Sequence, residues 1–169
     1  MIPANPEKCA LYREQGWWGD ETLGDIFSGN AKRNPDRMAL IDAPNRSNIA
    51  FGEPHRHSYS ELSTIIEQLA AAMLAQGLGK DDILLVQMPN ISELVALYMA
   101  CARIGVIISP VPVQYRDHEL AIIFAKLNPA AFICCTQVKG SDHVSVAQGL
   151  LPDGCRLMTF GPKPPKDAV

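Results

Sequence analysis

From residue 82 onward, short uninterrupted apolar runs alternate with longer amphipathic segments, and this rhythm restricts the chain to few architectures. Residues 82–88 read as a strand with no polar alternation. Asn90 with Glu93 three residues on opens a helix, expected to bury Ile91, Leu94, Val95, Tyr98 and Ala102 and to end at Gly105. Residues 106–109 form the next strand, and Pro110 and Pro112 break the chain before a helix carrying Leu120, Ile123, Phe124 and Leu127. Asn128-Pro129 stops that helix. A strand at 131–135, a weak helix at 141–150 and a last strand at 156–160 complete the pattern. Strands apolar on both sides need helices on both faces, and parallel strands need crossover connections. The fold class is therefore α/β: a doubly wound, mostly parallel sheet with flanking helices.

Upstream, the periodicity differs. Thr22 with Asp25 starts a helix at 23–32 that Pro35 stops. Residues 38–42 and 55–58 are short strands around a stretch, 43–54, with two prolines, two asparagines and a glycine, which predicts an antiparallel hairpin near the N-terminus. Ser58 and Glu61 form a capping box, and Leu62, Ile65, Ile66, Leu69 and Met73 make one helical stripe ending at Gly77 and Gly79. Residues 1–21 read as an irregular arm that Trp17 and Trp18 anchor on the domain. The expected organisation is an arm at 1–21, one subdomain at 22–160, and a linker or frayed tail at 161–169 rich in proline.

The charge balance narrows the partners. A net charge of −3 with scattered basic residues offers nothing to a polyanion, so nucleic acid is excluded as a partner. The start of the chain lacks the charged and apolar regions of a signal peptide. The longest uncharged apolar run, 94–102, falls well short of the roughly 20 residues a membrane-spanning helix needs. Five cysteines, two of them adjacent and none in a CxxC pair, predict reduced apolar residues in a cytoplasmic domain. Cys134 and Cys135, being neighbours on a strand, should point to opposite faces.

Chemistry-bearing motifs are sparse. Gly77 and Gly79 end a helix before a strand, the reverse of the dinucleotide-binding order, and no GxxxxGK[ST] loop, GxSxG elbow or HExxH pair occurs. His55 and His57 should share one strand face, where a metal would need a third ligand not present nearby in sequence; two surface histidines is the plain reading. The best contact candidates lie in two strand-to-helix loops, since ligands of open parallel sheets gather at the carboxyl ends of strands. One contains Pro89 and Asn90, where Asn90 and a helix N-terminus would hold a polar or anionic group, or where Asn90 is simply a cap. The other, 109–115, carries Gln114 and Tyr115 on a rigid, proline-marked turn.

The order of these features resembles the adenylate-forming superfamily. His57-Ser58-Tyr59-Ser60-Glu61-Leu62 is similar to its first core motif, a Thr/Ser-Tyr-x-Glu-Leu helix start. Val86-Gln87-Met88-Pro89-Asn90 resembles its Gln-x-Pro-Asn segment. Ala102-Arg103-Ile104-Gly105-Val106 followed by Ser109-Pro110-Val111 resembles the second core motif, with Arg103 and Ile104 in place of the usual Lys and Ala. Arg116 to Leu120 and Asn34-Pro35-Asp36-Arg37 with Ala39-Leu40 fit two further segments.

The resemblance implies the amino-terminal subdomain of an AMP-forming acyl-CoA synthetase. Its implied reaction joins a fatty or aromatic acid to coenzyme A at the expense of ATP, with magnesium. It also implies that the phosphate loop ending in Pro-Lys-Gly, the magnesium Glu, the ribose Asp and the catalytic Lys lie outside these 169 residues. The expectation is a piece inactive alone, with no catalytic, cofactor or metal residue of its own. Its partner would be the remainder of its enzyme, and it would self-associate through the face left uncovered. A stand-alone interaction or regulatory module derived from such an enzyme, or an unrelated Rossmann-like nucleotide-binding domain, are the competing readings.

Overall fold

The structure is a computed structural model that describes residues 5–162. The arm contains an unexpected helix, α1 (Pro6–Glu14). The Asn5 side chain accepts from the Glu7 and Lys8 N–H groups, and Pro6 occupies the first turn, where its missing N–H costs nothing. None of its residues is buried. The tryptophans do not anchor it as expected: both rings pack on Tyr12 of the arm itself, Trp17 tilted at 5.6 Å and Trp18 edge-on at 5.2 Å, and Trp17 is 70% exposed.

Helix α2 (Leu23–Arg33) carries the Thr22–Asp25 capping box. Strands β1 (Met38–Ile41) and β2 (Arg56–Ser58) pair antiparallel, as the hairpin reading predicted. The intervening segment contains a 3-10 turn at Arg46–Asn48. The Ser58–Glu61 capping box starts α3 (Tyr59–Ala75), whose buried stripe is Leu62, Ile66, Ala70 and Met73.

The main sheet is parallel and four-stranded, in the order β4-β3-β5-β8, from β3 (Ile83–Gln87), β4 (Ile107–Pro110), β5 (Ala131–Cys135) and β8 (Arg156–Phe160). The connecting helices are α4 (Ser92–Ile104), α5 (Asp117–Leu127) and α6 (His143–Gln148). A small hairpin, β6 (Gln137–Val138) with β7 (Ser141–Asp142), precedes α6 where a longer helix was expected.

Two apolar clusters sandwich the sheet, which makes it doubly wound. Leu84, Val86, Ile133, Cys135 and Met158 face α3 and α4; Leu85, Phe132, Cys134 and Leu157 face α5 and α6. Cys134 and Cys135 thus point to opposite faces, as the strand period requires. The inward face of helix α4 is shifted from the one expected: Ile91 is buried and Leu94 packs on the core as anticipated, but the fully buried apolar residues within the helix are Ala96, Leu97, Ala100 and Cys101, while Tyr98 is 38% exposed and Ala102 is exposed. Both stripes are apolar, and the buried one shares a single core cluster with α3 and the sheet. Gly105 ends α4 at φ +76°, a left-handed turn in which an added Cβ would stand 3.1 Å from the Lys80 side chain.

Candidate functional site

The carboxyl ends of the parallel strands are the natural place for a ligand in this topology. Strand β3, central in the sheet, ends in Gln87, then Met88 and Pro89, both buried, and Asn90, which is exposed. Asn90 does not cap the helix that follows. The N-cap position is Ile91, which has no side chain able to do it.

The cap comes from the hairpin. Asp42 Oδ1 accepts the Ser92 N–H at 2.8 Å, and Asp42 Oδ2 accepts the Ser92 hydroxyl at 3.1 Å and the His55 N–H at 3.0 Å. Arg46 lies beside it, 1% exposed. Its guanidinium donates to Asp42 Oδ2 at 2.5 Å, to Glu93 Oε1 and Oε2 at 2.5 and 2.9 Å, and to the Phe51 carbonyl at 3.1 Å, with the Phe51 ring 5.7 Å away. Glu93, expected to serve a capping box with Asn90, is bound to Arg46 instead. Burial alone would raise the Asp42 carboxyl, but hydrogen bonds from His55, Arg46 and Ser92 and the Arg46 charge outweigh it and hold it below the usual carboxylate range. Burial likewise opposes the Arg46 charge, and Glu93 and Asp42 more than restore it.

His55 and His57 do lie on one side, with ring centroids 5.5 Å apart. A group of three donors does form, but without His57: Asp42, His55 and Glu93 offer donor atoms all within 4.8 Å of one another, the one such group among the described residues. A cation already sits among them, since the Arg46 guanidinium binds both carboxylates. The cluster is a folded-in ion network joining hairpin, turn and α4.

The second loop, after β4, is held from below. Gln87, fully buried, donates from Nε2 to the Pro112 and Tyr115 carbonyls at 3.1 and 2.9 Å, and its Oε1 lies 3.0 Å from His143 Nδ1. Tyr115 is half-buried against the α5–α6 cluster, and Gln114 is exposed. Arg116 donates to the Val113 and Tyr115 carbonyls at 2.7 and 2.9 Å. Neither Gln87 nor His143 stood out as a site residue in the sequence, because what defines them is contact across 56 positions.

Beyond β5, Thr136, Gln137, Asp142, Val144, Ser145, Gln148 and Pro162 line a cleft of about 380 Å³. The hydroxyls of Thr136 and Thr159 are buried with no hydrogen-bond partner among the described residues. Gly161 crosses Thr136 so closely that a Cβ there would stand 2.2 Å from its hydroxyl, so the chain fills that space itself.

Residues 27–163 match the family model described as AMP-binding enzyme, which is most of the chain. The chain belongs to the AMP-binding enzyme family. Among its relatives, the Medium-chain fatty-acid–CoA ligase of Escherichia coli is 31% identical over 88% of this chain and 25% of its own length. The 2,3-dihydroxybenzoate-AMP ligase of Bacillus subtilis is 31% identical over 88% of this chain and 26% of its own. Of solved structures, Mycobacterium smegmatis MbtA superposes with a TM-score of 0.74 at 27% identity, over 95% of this chain and 28% of that one. The chain therefore spans about a quarter of the length of the curated relatives it matches. The α/β fold and the adenylate-forming kinship expected from the ordered motifs are both shown.

The family implies an adenine nucleotide with magnesium, and the donor set can be tested for it. Magnesium takes near-octahedral oxygen ligands, whereas the one candidate cluster is neutralised by Arg46. The basic group nearest the β4 loop, Arg116, is bonded to backbone carbonyls. These residues do not make a nucleotide–magnesium site by themselves. No helix among the described residues is long and apolar enough to cross a membrane.

Proposed function

We propose that this chain is the N-terminal subdomain of an ATP-dependent, AMP-forming acyl-CoA ligase that activates a fatty or aromatic acid. The carboxylate oxygen would displace pyrophosphate from ATP, and the thiol of coenzyme A would then displace AMP from the acyl carbon. The observation that carries this reading is the family match over residues 27–163, through the entire parallel sheet, while the chain spans about a quarter of the relatives' length. Residues 22–160 form the subdomain and the described residues 5–21 an arm, while the linker expected at 161–169 lies, beyond residue 162, outside the described residues. Pro89, Asn90, Gln114 and Tyr115 contribute one wall of the acid and nucleotide crevice, at the ends of β3 and β4.

The reacting groups come from further residues, so this chain alone adenylates nothing: charge developing on a transferring phosphoryl group needs cationic clamps. Five free cysteines, three of them buried, suit a reducing cytoplasm. The exposed Leu23, Ile26, Met38, Ile41 and Ile122 favour self-association of the isolated piece, and sedimentation at rising concentration checks that.

Reading the gene past codon 169 tests the proposal. A frame continuing into a Ser/Thr/Gly-rich loop and Pro-Lys-Gly supports it. A native stop codon there removes it in favour of a stand-alone interaction module. The family match removes the third reading, an unrelated Rossmann-like domain.

A further inference from the structure

We infer that Gln87 is a positioning residue: from the end of β3 its amide fixes both the 112–115 loop and the start of α6, and it locks His143 in the Nδ1–H tautomer. The amide has one consistent orientation. Its nitrogen lies 3.1 and 2.9 Å from two backbone carbonyls, each of which can only accept. A flipped amide would aim an oxygen at both of them with no proton between. Oε1 therefore faces His143 Nδ1 at 3.0 Å, and the imidazole must supply that proton. His143 is 2% exposed, and burial, then the Arg116 charge, keeps its ring neutral, which leaves the lone pair on Nε2.

The three polar contacts at this junction join segments 25, 28 and 56 residues apart in the chain. Strand β3 has no need of them for its own place, because β4 and β5 pair with it on either side. What the side chain determines is where two carboxyl-edge segments sit. One of them carries Gln114 and Tyr115, so the functional weight of the inference rests on the proposed substrate wall.

Two measurements on this chain decide the inference. Long-range ¹⁵N spectra of the wild-type chain are expected to show His143 protonated on Nδ1 and bare on Nε2; an Nε2–H ring overturns the assignment without any mutation. In Gln87→Met, which keeps the length and removes both donors, hydrogen exchange at 111–120 and 143–148 should quicken about tenfold or more, while α3 and β5 hold their rates. Unchanged loop exchange, or equal acceleration everywhere, overturns it. In the native enzyme the same substitution should raise KM for the acid with little change in kcat. A native enzyme without acid-dependent activity would sink the proposed function, and the two measurements above would still decide this inference.

Discussion

Asp42 accepts the backbone N–H of Ser92 at 2.8 Å and so caps α4 from fifty residues upstream. The helix has no cap of its own, and the carboxylate that supplies one is held in place by Arg46. The favourable field of a helix N-terminus for negative charge is thus taken by Asp42 and Glu93.

Removing one member should cost more than an ordinary ion pair. Asp42→Ala leaves Arg46 short of a partner and the Ser92 N–H uncapped, and Arg46→Met leaves Asp42 a buried charge. Each is expected to lower unfolding free energy by about 3–5 kcal/mol in urea titrations. The double variant should lose clearly less than the sum, because the two share one network.

The pH dependence has two steps. The His143 ring has its basicity lowered by burial and by Arg116, so below about pH 6.5 the unfolded chain binds a proton that the folded one resists. Stability is full above that value and falls as pH drops through the folded pKa. The Nδ1–H bond to Gln87 survives protonation, so the cost is that of charging a buried ring. Asp42, held below its ordinary value, adds a second loss beginning below about pH 4. Urea midpoints against pH should show both steps, and His143→Gln should flatten the first alone.

Thiol reactivity should separate the cysteines. Burial pushes Cys101, Cys134 and Cys135 up to about 12 and Cys155 to about 11, so thiolate is scarce at each. A disulfide reagent at pH 8 is expected to label Cys9 in the native chain, Cys155 slowly, and the other three only after denaturation.

Gly161→Ala meets two obstacles, a φ of +129° and a Cβ position 2.2 Å from the Thr136 hydroxyl and 3.0 Å from the Phe51 ring. The expected loss is about 1–3 kcal/mol. Adding Thr136→Ala should recover the steric part and leave the backbone strain, which thermal unfolding of the pair would resolve.

What the sequence revealed is what is decided locally. The boxes at Thr22–Asp25 and Ser58–Glu61 depend on residues three apart, and strands 131–135 and 156–160 stand where the apolar runs put them. The doubly wound layering follows from strands apolar on both sides. Asn90 and Glu93 carried the same local signal as those boxes and misled, because Asp42 reached α4 first through the tertiary fold. The buried face of α4 was illegible for a different reason: two apolar stripes compete, and only the position of α3 selects between them. Arg46 sat in a stretch of turn residues, and nothing local distinguishes a buried arginine from a solvated one. Helix α1 did announce itself through Asn5-Pro6, but its lack of an apolar stripe made it read as irregular.

The central claim is that this fold is the scaffold of an acid-activating enzyme and holds none of its chemistry. Carboxylate-dependent exchange of pyrophosphate into ATP tests it most directly, run side by side on the native gene product and on the 169-residue chain with a panel of fatty and aromatic acids. The account requires exchange by the native product with at least one acid and none by the chain alone. Exchange by the isolated chain, or its absence from the native product across the whole panel, would contradict it.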